Sequence, residues 1–161
     1  MLGILVGLCT ALSAAGPIYK DYNKPLTRSD SQDIYYIITN LSNSSVINIM
    51  LNRSSIEKAG DRIDPVHPLQ FLLSIFSNKE LIICIHNIKN RPLIWKDFSK
   101  GLETSLQRES SEKNFDKYMA DFASKLKIRA DLLEKPAKEK KWDKFLGVLF
   151  AQIPLKSDRN Y

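Results

Sequence analysis

Chemistry in a small protein needs nucleophiles, ligands or proton carriers held close together, and this chain has few of them. Two histidines and two cysteines occur in 161 residues. His67 stands in the stretch PVHP, and His86 follows Cys84 by two residues in LIICIHNI. One Cys-x-His pair does not make a zinc site, which needs three or four ligands at recognisable spacings. The isoleucines around Cys84 would raise a thiol pKa, so an activated thiolate is not expected there. Carboxylates are dispersed, with no pair placed as general acid and base. The glycines are isolated, which leaves no phosphate-cradling loop. The sequence therefore reads as a protein that is not an enzyme, with no catalytic residue, cofactor or metal site. Cys9 lies in an apolar run, and a bridge to Cys84 would need the N-terminus docked on the core, so no disulfide framework is expected.

The strongest charge feature is KLKIRADLLEKPAKEKKWDK. Between Lys125 and Lys144 it holds eight basic and four acidic residues, a net +4 in a chain whose formal charge is +6. Lys138, Lys141 and the stem of Lys144 can flank Trp142, which makes these four residues a candidate interaction surface. A basic amphipathic helix with an aromatic anchor lies on anionic lipid or enters a partner's groove. Phosphate contacts without a reading motif are nonspecific and salt-sensitive, so nucleic acid is not the expected partner. The competing reading is the outer face of a bundle helix with Trp142 and Phe145 buried. The interleaved Glu139 and Asp143 favour it.

The elements that would carry these residues are mostly helical. Charged residues at 26% and hydrophobic ones at 43% describe a folded chain, and the length suits one domain. Ser29 precedes Gln32 at capping-box spacing, and Ile34, Ile37, Ile38 and Leu41 follow at helical intervals. A strand hairpin over 34–51 competes, because both of its arms are rich in β-branched residues. KAGDRIDPVHP is a break, after which Pro68 suits the first position of a helix through LQFLLSIF. Ser77 and Glu80 make a second capping box, and Pro92 ends that helix. Trp95, Phe98, Leu102 and Leu106 form one apolar stripe, and Phe115, Met119, Phe122 and Leu126 another. After ADLLEKP a last helix presents Trp142, Phe145, Leu146, Leu149 and Phe150. The expected fold is all-α: a small irregular bundle of about five to six helices after an N-terminal hydrophobic segment, with an α+β fold carrying a hairpin at 34–51 as the alternative.

That N-terminal segment, residues 1–19, carries no charge. It lacks the positive n-region of a signal peptide, and Leu8 before Cys9 is not the small residue a lipoprotein signal wants. Its length just spans a bilayer, and Gly3 and Gly7 form a small-xxx-small pair that would let another helix approach. Lys20, Lys24 and Arg28 all follow the run, which places the rest of the chain in the cytosol by the positive-inside rule. The expected organisation is a hydrophobic segment at 1–19 (anchor or signal), a linker at 20–30, a helical domain at 31–155 and a polar tail at 156–161.

Around HPLQFLLSIFSNKELIICIHNIKNRPLIWKDFSKGL the chain resembles uncharacterised chlamydial proteins of inclusion-membrane type, over about residues 65–150. The likeness lies in a proline-led helix, a Ser-Asn-Lys-Glu break, and tryptophan with Asp-Phe in the next helix. It implies a short membrane segment joined to a cytosol-facing helical domain. The chain departs from that group in having one short apolar run where a hairpin of two is usual.

The expectation is a membrane-tethered, non-enzymatic protein-interaction module, a secreted bacterial effector with its C-terminal domain cytosolic and a protein partner. The alternatives are a secreted protein, and a soluble basic domain that binds anionic lipid or nucleic acid through 125–144.

Overall fold

The computed structural model describes residues 22–41, 56–58, 61–63 and 66–152. Among them are seven helices and one two-stranded ribbon. Helix α1, Arg28–Thr39, starts at a capping box: the Thr27 hydroxyl accepts the Asp30 amide, and the Asp30 carboxylate accepts the Thr27 amide at 2.8 Å. The cap therefore sits two residues before the Ser29–Gln32 pair of equal spacing. Ile34, Ile37 and Ile38 point inward from α1. Residues 34–39 are helical rather than the first arm of a hairpin, and 42–51 lie outside the described residues. The observed ribbon pairs β1, Ile56–Lys58, antiparallel with β2, Asp61–Ile63.

Helix α2, Pro68–Phe76, opens on proline at its first turn, where the missing N–H is no loss. His67 caps it. Helix α3, Lys79–Ile88, follows after a sharp bend, capped by Asn78, whose side chain accepts the amides of Glu80 and Leu81. The cap is thus Asn78, not Ser77. Helix α4, Pro92–Glu109, is the longest and again begins on proline. Helix α5 spans Phe115–Leu126, α6 Ala130–Lys138 and α7 Trp142–Phe150.

The core gathers Phe71, Phe98, Phe122, Phe145 and Phe150 with the α1 isoleucines, all fully buried. Helix α4 packs on α2 and α7, α5 on α2 and α6, and α1 on α3. The all-α bundle stands, with α6 as an additional element in what reads as the ADLLEKP connection. Pro136 lies near the end of α6, where it forfeits a single backbone bond. Leu133, with no exposed surface, holds the helix down.

Two helices end in a way the sequence does not advertise. Lys127 and Lys140 take the left-handed conformation, with φ of 58° and 56°. Around each, paired backbone bonds close the helix: Lys127 and Ile128 donate to Ser124 and Ala123, and Lys140 and Lys141 donate to Ala137 and Pro136. These are Schellman closures, which glycine usually fills because a Cβ is strained there. Lys127→Gly and Lys140→Gly are each expected to add about 0.5–1 kcal/mol of stability, after glycine's larger unfolded-state entropy is deducted. An increased urea midpoint with an unchanged m-value would report it.

Within the stretch read as a linker, one side chain is in the core. Tyr22 is 2% exposed and α1 begins at Arg28, inside the stretch 20–30 expected to be a linker. The assignment of 1–19, including Gly3 and Gly7, lies outside the described residues. Among the described residues no single helix is long and apolar enough to cross a membrane.

Candidate functional site

The basic segment folds as the end of α5, α6 and the start of α7, and four of its eight cations pair with nearby carboxylates. Lys125 pairs with Asp121, Arg129 with Asp131, Lys138 with Glu134 and Lys141 with Glu139, at 2.6–3.4 Å. These are exposed pairs, each of small energetic weight, but they leave a face of mixed sign. Lys144 is exposed on α7. Trp142 is not on that face. It is 5% exposed, its indole N–H donates to Gln107 Oε1 at 2.9 Å, and its ring meets Phe115 and Phe145 edge-on. The candidate surface of Lys138, Lys141, Trp142 and Lys144 therefore loses its aromatic anchor. The cause is the helical period, which turns Trp142 to the side of Phe145, Leu146 and Leu149.

Cys84 is half-buried on α3, and burial, with a smaller contribution from Glu80, pushes its thiol pKa up. That environment keeps it protonated and unreactive. Among the described residues no cluster of three or more His, Cys, Asp or Glu forms a metal site.

The chemically unusual place is one the sequence does not single out. His67 is 3% exposed, and its Nδ1 accepts the Leu69 amide at 3.1 Å as the cap of α2. That bond puts the proton of the neutral ring on Nε2. Nε2 stands 3.6 Å from Oε1 of Glu109, at the end of α4. Aromatic rings enclose the imidazole: Tyr22 and Tyr118 edge-on at 5.5 and 5.9 Å, and Phe115 stacked at 6.4 Å. Burial, then the neighbouring Glu112, pushes the Glu109 carboxyl up to about 7, against a smaller opposing pull from Arg108. The clue available in the sequence is the position of His67 immediately before a helix-starting proline, where a side-chain acceptor is wanted.

Tyr22 packs against the His67 ring. Its hydroxyl donates to Asp121 at 2.6 Å, its ring stacks on Tyr118 at 4.9 Å, and the Lys125 ammonium stands over the ring at 5.6 Å from its centroid. Burial and that hydrogen bond hold the phenol protonated far above its ordinary range, and the same bond lowers the pKa of Asp121. The side-chain amide of Gln70 on α2 donates to the backbone carbonyls of Tyr22 and Lys24. Residues 22–24 thus form a strap across α2 and α5.

Two grooves lie elsewhere. One of about 300 Å³ runs between α5 and α6 over Met119, Ala123, Leu133 and Ala137. The other, about 560 Å³, lies between α4 and α7 over Trp95, Leu146 and Phe150, with Lys89, Lys96, Lys100, Glu103 and Asp143 along its sides.

A model described as a family of unknown function (DUF8085) matches residues 26–152, most of this helical unit. The chain belongs to that family. The DUF8085 chain is also similar to a "Probable lipoprotein" of Chlamydia trachomatis, 24% identical over 134 residues that cover 83% of this chain and 61% of the relative. An "Uncharacterized lipoprotein" of Chlamydia muridarum is 23% identical, with 83% and 62% covered. A "Probable lipoprotein" of Chlamydia pneumoniae is 24% identical over 132 residues, with 81% and 61% covered. The DUF8085 chain thus spans about three fifths of the length of these curated relatives. No solved structure matches it. These relatives agree with the chlamydial part of the resemblance seen in the sequence; their names are those of lipoproteins, not of inclusion-membrane proteins.

Proposed function

We propose that this protein is a membrane-associated, non-enzymatic interaction module, whose helical unit is displayed beside the bilayer to engage a protein partner. The observation that carries the reading is the similarity, along more than four fifths of the chain, to three chlamydial proteins named as lipoproteins. The uncharged run at 1–19, with Cys9 inside it, supplies the segment that would hold it there. Burial of the His67 ring among Tyr22, Phe115 and Tyr118, with its Nδ1 capping α2, supports a structural rather than a catalytic role for this histidine. The finer reading is an effector on an inclusion membrane, with the helical unit cytosolic as the lysines after the run imply.

Flotation of the full chain in a density gradient, with metabolic labelling by a clickable fatty acid, tests this. The chain is expected to float with membranes. Label and flotation lost together in Cys9→Ser would place the attachment at an acyl chain, and flotation retained would place it in the apolar run. A chain that stays in the soluble fraction overturns the reading.

A further inference from the structure

We propose that the first turn of α4 is a docking surface for anionic phospholipid, with Leu93 entering the bilayer and Lys89, Arg91 and Lys96 meeting the phosphates. This rests on the membrane association proposed above and adds a second contact to it. Leu93 is 79% exposed; the next most exposed large apolar side chain among the described residues is Ile83, at 42%. One exposed leucine alone carries little meaning. Here Pro92 beside it is exposed as well, and Lys96, one turn further on the same face, borders the α4–α7 groove over Trp95, Leu146 and Phe150. The apolar tip thus continues into an apolar groove.

The cations here differ from those of the basic segment. Lys125, Arg129, Lys138 and Lys141 are each paired. Arg91, Lys96 and Lys100 make no ion pair among the described residues, and Lys89 donates to the Phe150 carbonyl at 3.2 Å with donors to spare. Asp97, exposed one turn past Leu93, is the carboxylate of this end. Glu103 and Asp143 belong to the other end of the groove, because α4 and α7 run antiparallel: Trp95 meets Phe150 at 5.2 Å at one end, and Gln107 bonds Trp142 at the other. The groove is basic toward Leu93 and acidic away from it, so an anion is drawn to one end.

A projecting leucine among cations suits a lipid surface: the apolar tip leaves water while the lysine and arginine stems reach back to headgroup level. Trp95 adds an interfacial side chain. It is partly buried, and its indole N–H, unlike that of Trp142, makes no hydrogen bond to the described residues, which leaves it for a headgroup oxygen. The excess of cations selects anionic over zwitterionic lipid. The contact is distinct from the tether. Tyr22 packs on His67, whose Nε2 faces Glu109 at the last turn of α4, and Leu93 lies at the first turn, roughly 24 Å away along the helix. Insertion of the run at 1–19 does not by itself set Leu93 in the headgroups.

The test reconstitutes the full chain into vesicles with brominated acyl chains, made of phosphatidylcholine alone or of equimolar phosphatidylcholine and phosphatidylserine. Bromine quenches an indole only at close range, so buried Trp142 stays bright and Trp95 reports docking; Trp95→Phe is expected to abolish the quenching. Strong quenching is expected in the mixed vesicles, with a docking constant at least about 5-fold lower on phosphatidylcholine alone. Read across a phosphatidylserine titration, Lys96→Gln is expected to lower that constant about 5-fold and Leu93→Glu about 10-fold or more. Both side chains are exposed, so neither change endangers the fold. A vesicle-bound chain whose Trp95 is quenched in neither lipid overturns the proposal, leaves membrane association standing and frees this face for a protein partner. Equal quenching in the two lipids, or none of the change expected in the two variants, overturns it as well. A chain that binds neither vesicle overturns the membrane reading together with it.

Discussion

Trp142→Ala is expected to lower the free energy of unfolding by about 3–5 kcal/mol, the usual cost of deleting a buried aromatic ring. The ring fills space between Phe115 and Phe145, and its N–H satisfies Gln107. Alanine would leave a void at the start of α7. Trp142→Phe keeps most of the packing and loses the hydrogen bond, so a smaller loss of about 1–2 kcal/mol is expected. Denaturant titration followed by circular dichroism measures both. The outcome separates two roles for the same residue. A tryptophan that anchors the protein on a membrane or partner would leave stability unchanged when removed and would weaken binding instead. An unfolding midpoint within error of wild type would therefore contradict the core position.

Tyr22→Ala is the second large effect, with an expected loss of about 3 kcal/mol. At a residue in a flexible connection the same change would cost nothing measurable. Here it removes a ring that stacks on Tyr118 and meets His67, and it opens the edge of the core. Tyr22→Phe isolates the hydroxyl. Asp121 is partly exposed and rehydrates when its donor is lost, so the expected cost is about 1 kcal/mol. Thermal denaturation of the two variants side by side distinguishes ring from hydroxyl.

These two residues also mark where the sequence is legible. Helix starts are local, and proline at the first turn identifies α2 and α4 without any knowledge of neighbours. The apolar stripes of α4, α5 and α7 follow from period alone. Trp142 belongs to such a stripe, and its own period assigns it to the core; the lysines flanking it suggest a surface role only if the stripe is ignored. The start of α1 is harder. Thr27–Asp30 and Ser29–Gln32 have the same spacing, and docking of Tyr22 and Leu26 favours the earlier one. Docking of Tyr22 depends on Asp121, 99 residues away, and no window along the chain contains both. The His67–Glu109 pair is hidden for the same reason, since α2 and the end of α4 meet only after folding. Helix α6 is obscured by Pro136, whose position near the helix end makes it cheap in a way that composition does not reveal.

The strap has a mechanical consequence for a protein held by its first 19 residues. Only Lys20 and Asp21 separate the apolar run, ending at Tyr19, from a side chain fixed in the core. Three peptide links reach roughly 10 Å when fully extended. A small domain is about 30 Å across. If the run at 1–19 lies in the bilayer as proposed, docking of Tyr22 would moor the unit rather than leash it, holding one flank against the headgroups. Were the chain released as far as Thr27, the reach would lengthen to roughly 28 Å, enough for such a tethered body to roll.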